Sequence, residues 1–349
     1  MSVGHPDAIL ATGGGGAGGA PPPGAPRGRR RGRAGAPGRG GQLGHHLARS
    51  AGARAGARVV ALGRRELDLT DPGSIAAALD RHRPRVVINA AAYTDVDGAE
   101  SDEAAARAVN AAGAGSLGLA CRDRGIRLIH LSTDYVFSGE VPGGGDPATA
   151  PGVEPDDPTG PATAYGRTKL AGELAVLAAH PEATVIRTAW VYTGPGRRGQ
   201  GLSGSDFVDT MARLEGQRDT VSVVDDQWGS PTHAPTLAAA ILEMVALEAD
   251  GAVDTRGLVL HGAGSGRATW CEVARRTFAH LGADPDRVTP CTTADFPRPA
   301  PRPAFSVLSG RSWEDAGLAP LPDWGESLRA ALASAPGVGG AASSSSPLR

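Results

Sequence analysis

Short apolar, β-branched runs alternate along this chain with longer stretches whose apolar residues recur at helical spacing. The runs Arg58–Leu62, Arg85–Asn89, Arg127–Ser132, Ala183–Thr188, Val221–Val224 and Leu258–His261 predict strands. The stretches Gly44–Gly52, Pro72–Asp80, Glu100–Ala112, Ala114–Arg124, Ala164–Ala179 and Thr236–Leu247 predict helices. Asp71-Pro72 supplies an N-cap with proline at the first helical position. Val86-Val87-Ile88 is apolar at every position, as suits a strand covered on both faces. The repeated β-then-α order predicts an α/β fold of Rossmann type, a doubly wound parallel sheet with helices on both sides.

Composition changes the picture at the two ends. Residues 1–41 hold 14 Gly, 6 Pro and six Arg (Arg27, Arg29, Arg30, Arg31, Arg33, Arg39) against one acid, Asp7. Residues 1–37 therefore read as a largely disordered extension, and 334–349 as a flexible Ser-rich tail. The whole chain carries a formal charge of −2, so the body beyond the basic segment is acidic, which disfavours nucleic acid as a partner. There is no 18-residue apolar run and no secretory signal, so neither membrane nor export is expected. Cys121, Cys271 and Cys291 are widely spaced and form neither a disulfide framework nor a zinc pattern, so no metal is expected and the cytoplasm is the expected setting. His45 and His46 read as two solvent-facing residues at a helix start.

Candidate chemistry starts at Gly38-Arg39-Gly40-Gly41-Gln42-Leu43-Gly44, with glycine at the first, fourth and seventh positions before a helix. Glycines let the backbone approach a pyrophosphate, and the helix N-terminus offers free N–H groups to it. Gly38, Gly41, Gln42 and Leu43 are the candidate contacts. No core strand precedes this loop directly. Two readings stand: the strand is Ala8–Thr12, followed by Gly13 and a long insertion, or the N-terminal segment is translated in a shifted frame and lacks the strand. The second strand ends at Gly63-Arg64-Arg65, where NAD-preferring sites carry an acid. Arg64 can pair with a 2′-phosphate, which favours NADPH over NADH, and Asp68 reaches the adenine side.

Tyr165 and Lys169 stand at i and i+4, on one face of a helix. A nearby ammonium is expected to lower the tyrosine pKa and prepare it for proton exchange with a carbonyl or alcohol oxygen. Leu131-Ser132-Thr133-Asp134 ends a strand, placing hydroxyls at the carboxyl edge of the sheet, where such folds bind ligands.

These residues resemble the dTDP-4-dehydrorhamnose reductase family of extended short-chain dehydrogenase/reductases. The matching motifs run in order from Gly-Gln-Leu-Gly (41–44) through Asn-Ala-Ala-Ala-Tyr-Thr-Asp-Val-Asp (89–97), Val-Asn-Ala (109–111), Ser-Thr-Asp-Tyr-Val-Phe (132–137) and Ala-Tyr-Gly-Arg-Thr-Lys-Leu-Ala-Gly-Glu (164–173). They continue with Arg-Thr-Ala-Trp-Val-Tyr (187–192), Val-Val-Asp-Asp-Gln-Trp-Gly-Ser-Pro-Thr (223–232), Ala-Thr-Trp (268–270) and Arg-Pro-Ala-Phe-Ser-Val-Leu (302–308). The resemblance implies an NADP-binding part over 38–190, to which 214–248 returns. It implies a smaller, interleaved C-terminal substrate domain over 191–213 and 249–333. It implies that Ala90, Ala91 and Thr94 lie along the cofactor, that Thr133 polarises a substrate ketone, and that Tyr165 donates a proton with Lys169 as its partner. Asp134, Trp190 and Arg302 are the implied substrate contacts. The implied reaction is NADPH-dependent reduction at C4 of dTDP-4-dehydro-L-rhamnose, with a 4-ketoreductase for another dTDP-deoxysugar, or a non-catalytic regulatory homologue, as alternatives. A homodimer is left open. One departure is Asp206, where the family has Asn before Phe207.

Overall fold

Neighbouring residues of three adjacent strands feed two different cores. Ile9 and Ala11, Val86 and Ile88, and Ile129 and Leu131 pack on one face, and Leu10, Val87 and Leu128 on the other. Period-two alternation in runs that are apolar throughout requires a cover on both sides, and helices provide it. The computed structural model describes residues 8–14, 42–54, 58–195, 202 and 205–333.

In chain order its first half comprises β1 (Ala8–Gly14), α1 (Gln42–Arg54), β2 (Arg58–Gly63), α2 (Pro72–His82), β3 (Val86–Asn89), α3 (Val96–Ser101), α4 (Glu103–Arg107), α5 (Ala114–Arg122), β4 (Arg127–Thr133), α6 (Ala164–Ala179) and β5 (Thr184–Thr188). There follow β6 (Val191–Tyr192), α7 (Phe207–Glu215), β7 (Val221–Val224), β8 (Trp228–Gly229), β9 (Thr232–His233), α8 (Ala234–Ala249), β10 (Val259–His261), β11 (Ala268–Thr269), α9 (Trp270–His280), β12 (Val288–Cys291), β13 (Phe305–Ser306), α10 (Arg311–Asp315) and α11 (Trp324–Ala333). The main sheet is six-stranded and parallel, in the order β10-β5-β4-β3-β1-β2. The chain winds outward from β1 to β2 and then returns to β3 on the other side of β1. That reversal opens a crevice at the carboxyl ends of β1 and β3, the place where such sheets take ligands.

Ala8–Gly14 is therefore the first strand, paired with both β2 and β3. Of the two readings of the N-terminus, the fold takes up the one with a long insertion. The rest of 1–37, the glycine positions 38 and 41, and 334–349 lie outside the described residues.

Most other elements follow the sequence pattern. Asp71 caps α2 by accepting from Gly73 N at 2.9 Å, and Arg83 ends the helix in the left-handed region (φ 45°). Thr163 caps α6 by accepting from Gly166 N at 3.0 Å. The helix expected over Glu100–Ala112 is instead broken in two and followed by a π-helical turn over 108–113. Asp102 causes the break: its carboxylate accepts from Ala105 N at 3.0 Å and starts a new helix. The π turn buries Asn110, which accepts from Tyr93 N at 2.8 Å and donates to Thr168.

Two assignments of segments are corrected. Val221–Val224 does not join the main sheet; it pairs in parallel with Val288–Cys291. Of the returning stretch 214–248, only α8 packs on the main sheet, through Leu237 and Ile241 beside Leu47 of α1. Conversely, Leu260 of β10 and Trp313 of α10 belong to that same core, although both fall within 249–333. His46 is buried and hydrogen-bonded to Thr193 at 3.2 Å, not solvent-facing, because α1 is covered by the loop after β6. Among the described residues no helix is long and apolar enough to cross a membrane.

Candidate active site

The end of β1 touches the loop after β3. Gly13 has φ 110°, and a Cβ on it would lie 2.7 Å from the Ala90 carbonyl. Only glycine fits both constraints. A Cβ on Gly44 would meet the Gly13 and Thr12 carbonyls at 3.4 Å, so α1 starts directly against this strand end. Gly13 thus takes the place assigned by pattern to Gly38, as the first glycine of the loop. The pattern missed it because residues 15–41 separate it from Gln42-Leu43-Gly44.

Polar side chains lock this junction across three strands. Thr12 Oγ1 donates to Asn89 Oδ1 at 2.6 Å, and Ala91 N–H donates to both oxygens, at 3.3 and 3.2 Å. With its oxygen so occupied, Asn89 donates through Nδ2 to His130 Nδ1 at 3.0 Å. His130 is fully buried, and burial together with the Lys169 charge holds its pKa well below the ordinary range. Asn89 reads in sequence as part of a strand, and nothing local marks it as the hub of this network.

The candidate cofactor residues line one end of a cavity of about 1020 Å³. Ala90, Ala91 and Thr94 are on its wall, as are Arg64 and Asp68. Arg64 is exposed and paired with Asp68 at 3.2 Å. The Asp68 carboxyl is held below its ordinary value by the Thr70 hydroxyl and N–H, with Arg64 adding to this against a small burial penalty. Gln42 and Leu43 are also on the wall, but their side chains are engaged elsewhere: Gln42 Oε1 accepts from Thr193 at 2.8 Å and Leu43 is in the core. What they offer a ligand is backbone N–H at the start of α1.

Thr133, Tyr165 and Lys169 meet on the same wall. Lys169 Nζ donates to the Leu131 carbonyl of β4 at 2.7 Å, and burial lowers its pKa to about 8. Thr133 Oγ1 donates to Asp134 Oδ1 at 2.8 Å and accepts from Tyr135 N at 3.3 Å. Tyr165 lines the cavity beside Thr133, whose hydroxyl favours the phenolate form. The expected depression of the tyrosine pKa is not found. Burial first, and the Asp134 charge second, push it up to about 12, against the stabilising Thr133 contact. Lys169 Nζ, which donates to the Leu131 carbonyl, does not offset this desolvation.

Asp134 is a buried carboxyl behind Thr133, and burial raises its pKa to about 6 despite the Thr133 and Ser306 hydroxyls. Its Oδ1 is engaged by the Thr133 hydroxyl, and the residue also lines the cavity.

The other end of the cavity is aromatic. Trp190 stacks face to face on Trp270, with centroids 3.6 Å apart, and Phe207 packs on Trp270 at 4.5 Å. Trp190 adopts φ 45°, and a Cβ on Gly229 would strike its indole, so this geometry depends on a glycine opposite. Trp190 lines the cavity with Trp270 backing it. Arg302 is not a free cation: Nη2 donates to Asp97 Oδ2 at 2.9 Å and Nη1 to the Ala300 carbonyl. Burial pushes the Asp97 carboxyl up, but Arg302 and the Ala300 N–H outweigh it and hold the group below its ordinary value. Asp206, the departure noted above, accepts from Thr193 N, Gly194 N and Asp209 N and so caps α7.

A doubly wound parallel sheet with a hydroxyl, a tyrosine and a lysine gathered at its carboxyl edge defines an extended short-chain dehydrogenase/reductase. A family model described as the RmlD substrate binding domain matches residues 36–336. The dTDP-4-dehydrorhamnose reductase of Mycobacterium tuberculosis is 52% identical over 296 residues, 85% of this chain and 91% of that protein. The dTDP-4-keto-6-deoxy-D-glucose reductase of Streptomyces niveus is 45% identical over 275 residues, 78% and 88% of the two chains. The crystal structure of dTDP-4-dehydrorhamnose reductase from Bacillus anthracis, in complex with NADP, superposes with a TM-score of 0.74 at 27% identity, covering 93% of this chain and 98% of that one. The chain belongs to the dTDP-4-dehydrorhamnose reductase family.

Proposed function

We propose that this protein reduces the C4 ketone of dTDP-4-dehydro-L-rhamnose to dTDP-L-rhamnose, using NADPH. The observation that carries the reading is the convergence of Thr133, Tyr165 and Lys169 on one cavity wall, between a glycine-lined strand end and an aromatic recess.

The residues present fit the dinucleotide. Gly13 lets the end of β1 close against the loop after β3, and the N-terminus of α1 beside it, with its free backbone N–H groups, suits a pyrophosphate. Arg64 would take the 2′-phosphate, Asp68 the adenine side, and Ala90, Ala91 and Thr94 the length of the cofactor, and all five line the cavity. When bound, NADPH supplies the hydride. Tyr165 holds the proton that the C4 oxygen gains, and its high pKa keeps that proton in place until charge develops on the ketone oxygen. Lys169, which lines the same cavity, would hold the ribose next to the nicotinamide. Trp190 and Trp270 form the wall for the sugar nucleotide, and the Arg302–Asp97 pair its polar rim.

The test is NADPH oxidation with dTDP-4-dehydro-L-rhamnose, with product stereochemistry read by NMR. Turnover to the L-rhamno product supports the proposal; a folded protein with no turnover, and with Tyr165→Phe indistinguishable from wild type, removes it. The Streptomyces niveus relative favours one second reading, a ketoreductase for another dTDP-deoxysugar. A different C4 configuration in the product selects it. A non-catalytic regulatory role is disfavoured by the intact hydroxyl–tyrosine–lysine set.

A further inference from the structure

Thr193 is bonded to both ends of the cavity wall, through different atoms. Its hydroxyl donates to Gln42 Oε1 at 2.8 Å, and its backbone N–H donates to Asp206 Oδ2, also at 2.8 Å. Gln42 is the first residue of α1 and lines the dinucleotide end. Asp206 is the N-cap of α7, and Phe207, the first residue of that helix, packs on Trp270 at 4.5 Å. Thr193 directly follows β6, which starts one residue after Trp190, and Trp190 stacks on the same Trp270 at 3.6 Å. A closed ring of contacts thus runs from Thr193 through Asp206, Phe207, Trp270 and Trp190 and back along β6. Gln42 ties that ring to the start of α1.

The joint leaves little freedom. Thr193 is 5% exposed, so breaking either bond would strand a buried polar group. Its single proton goes to Gln42, and its oxygen is then the acceptor for His46 Nε2, 3.2 Å away. Asp206 Oδ2 accepts from Thr193 N and from Gly194 N, the latter at 3.1 Å, while Oδ1 accepts from Asp209 N at 2.8 Å and caps α7. The carboxylate thus gives one oxygen to each task. An asparagine at this position has one acceptor oxygen and could serve only one of them.

We infer that Thr193 is a positioning residue that couples the two ends of the cavity, so that the dinucleotide and the sugar nucleotide each tighten the binding of the other. The role deepens the reductase reading and rests on it. A phosphate at the start of α1 restricts the first turn of that helix. Gln42 is held with that turn, and Thr193 with Gln42. The end of β6 and the cap of α7 are then fixed in the arrangement that stacks Phe207, Trp270 and Trp190. The second ligand meets a recess already ordered, and less conformational freedom is lost when it binds. Linkage makes the effect equal in both directions.

The experiment is calorimetric titration of the full chain with dTDP, with and without saturating NADP⁺, for wild type, Thr193→Val, Thr193→Ser and Asp206→Asn. NADP⁺ is expected to tighten dTDP binding to wild type by at least about fivefold. Thr193→Val keeps the side-chain shape and removes both hydroxyl bonds, so the factor is expected to fall to within about twofold of unity. Thr193→Ser keeps the hydroxyl and most of the coupling. Asp206→Asn keeps the cap of α7 or the tie to Thr193 but not both, and its factor falls as well. A Thr193 with only a structural part would lower Tm or weaken both ligands alike, and leave the ratio unchanged. A wild-type factor within about twofold of unity overturns the coupling. So does a Thr193→Val that keeps the wild-type factor, or a Thr193→Ser that loses it as Thr193→Val does. If Thr193→Val does not fold, Asp206→Asn decides in the same way. If neither dTDP nor NADP⁺ binds, the reductase reading fails and the coupling falls with it; if both bind without mutual effect, the reading stands and the coupling fails.

Discussion

Lys169 Nζ donates to the Leu131 carbonyl at 2.7 Å, which ties helix α6 to strand β4 two residues before Thr133. The contact sets the spacing between the tyrosine on the helix and the hydroxyl on the strand. It also keeps a buried ammonium satisfied, and burial brings its pKa down from 10.5 to about 8. The folded state therefore binds fewer protons than the unfolded chain between those values. This group's penalty is full below pH 8 and fades as pH rises toward 10.5. Activity is expected to fall on the alkaline side as the ammonium titrates near 8. Lys169→Met should lower kcat/KM by roughly 10²-fold or more and lack that alkaline limb, as steady-state assays across pH would show.

Tyr165→Phe removes the proposed proton source and leaves the ring in place. The expected loss in kcat is about 10²–10⁴-fold, with NADPH binding, followed by nucleotide fluorescence, within about twofold of wild type. A phenylalanine variant with normal turnover would show that the proton comes from another group.

How much of this was legible in the sequence depends on distance along the chain. The other five strands of the main sheet and the Tyr165–Lys169 pair are local patterns, apolar runs and an i, i+4 spacing, and each lies where it was expected, whereas β1 was one of two open readings. Gly13 was not legible as a loop glycine, because the glycine spacing that identifies a pyrophosphate loop is interrupted by residues 15–41. The Arg302–Asp97 pair joins positions 205 apart, and Thr12–Asn89 positions 77 apart. Val221–Val224 looks like the main-sheet strands, but a four-residue run carries no information about its partner. The tyrosine pKa was misjudged for a related reason: the i, i+4 lysine is visible in sequence, whereas burial and the Asp134 charge behind Thr133 are not.

Gly13→Ala tests the interrupted loop. The added methyl must occupy φ 110° and come within 2.7 Å of the Ala90 carbonyl. The strand end or the β3 loop has to move, at a cost of about 1–3 kcal/mol. Weaker NADPH binding, by at least about tenfold in calorimetry, is expected together with a lower Tm. Gly143→Ala has open space around its Cβ and serves as the comparison, because it carries only the backbone penalty at φ 66°.

Arg64→Ala addresses cofactor choice. The guanidinium is 62% exposed and its pair with Asp68 is worth little to stability, so Tm should stay within about a degree or two. The ratio of kcat/KM for NADPH over NADH should fall by about tenfold, because a charge-assisted contact to a phosphate contributes roughly 1.5–3 kcal/mol. An unchanged ratio would place 2′-phosphate recognition elsewhere.

The Arg187–Glu173 pair carries the largest stability prediction. Its side chains are 5% and 3% exposed, Nη2 and Oε2 are 2.8 Å apart, and the bridge joins β5 to α6 on the helix that bears both Tyr165 and Lys169. Arg187 also donates to the Pro155 carbonyl at 2.9 Å and lies over the Phe137 ring, so the guanidinium is satisfied on several sides. Glu173 has Arg187 as its ion-pair partner and also faces the Lys169 charge, and removing Glu173 leaves the Arg187 guanidinium buried without its counter-charge. Glu173→Gln is therefore expected to cost about 3–5 kcal/mol in urea unfolding. Replacing both residues by apolar groups of similar volume removes the stranded charge, so Glu173→Leu with Arg187→Met should recover most of that loss. The two variants also separate packing from orientation. If the bridge only stabilises, the double variant regains kcat along with stability. If it also sets how α6 presents Tyr165 to Thr133, stability returns while kcat stays low.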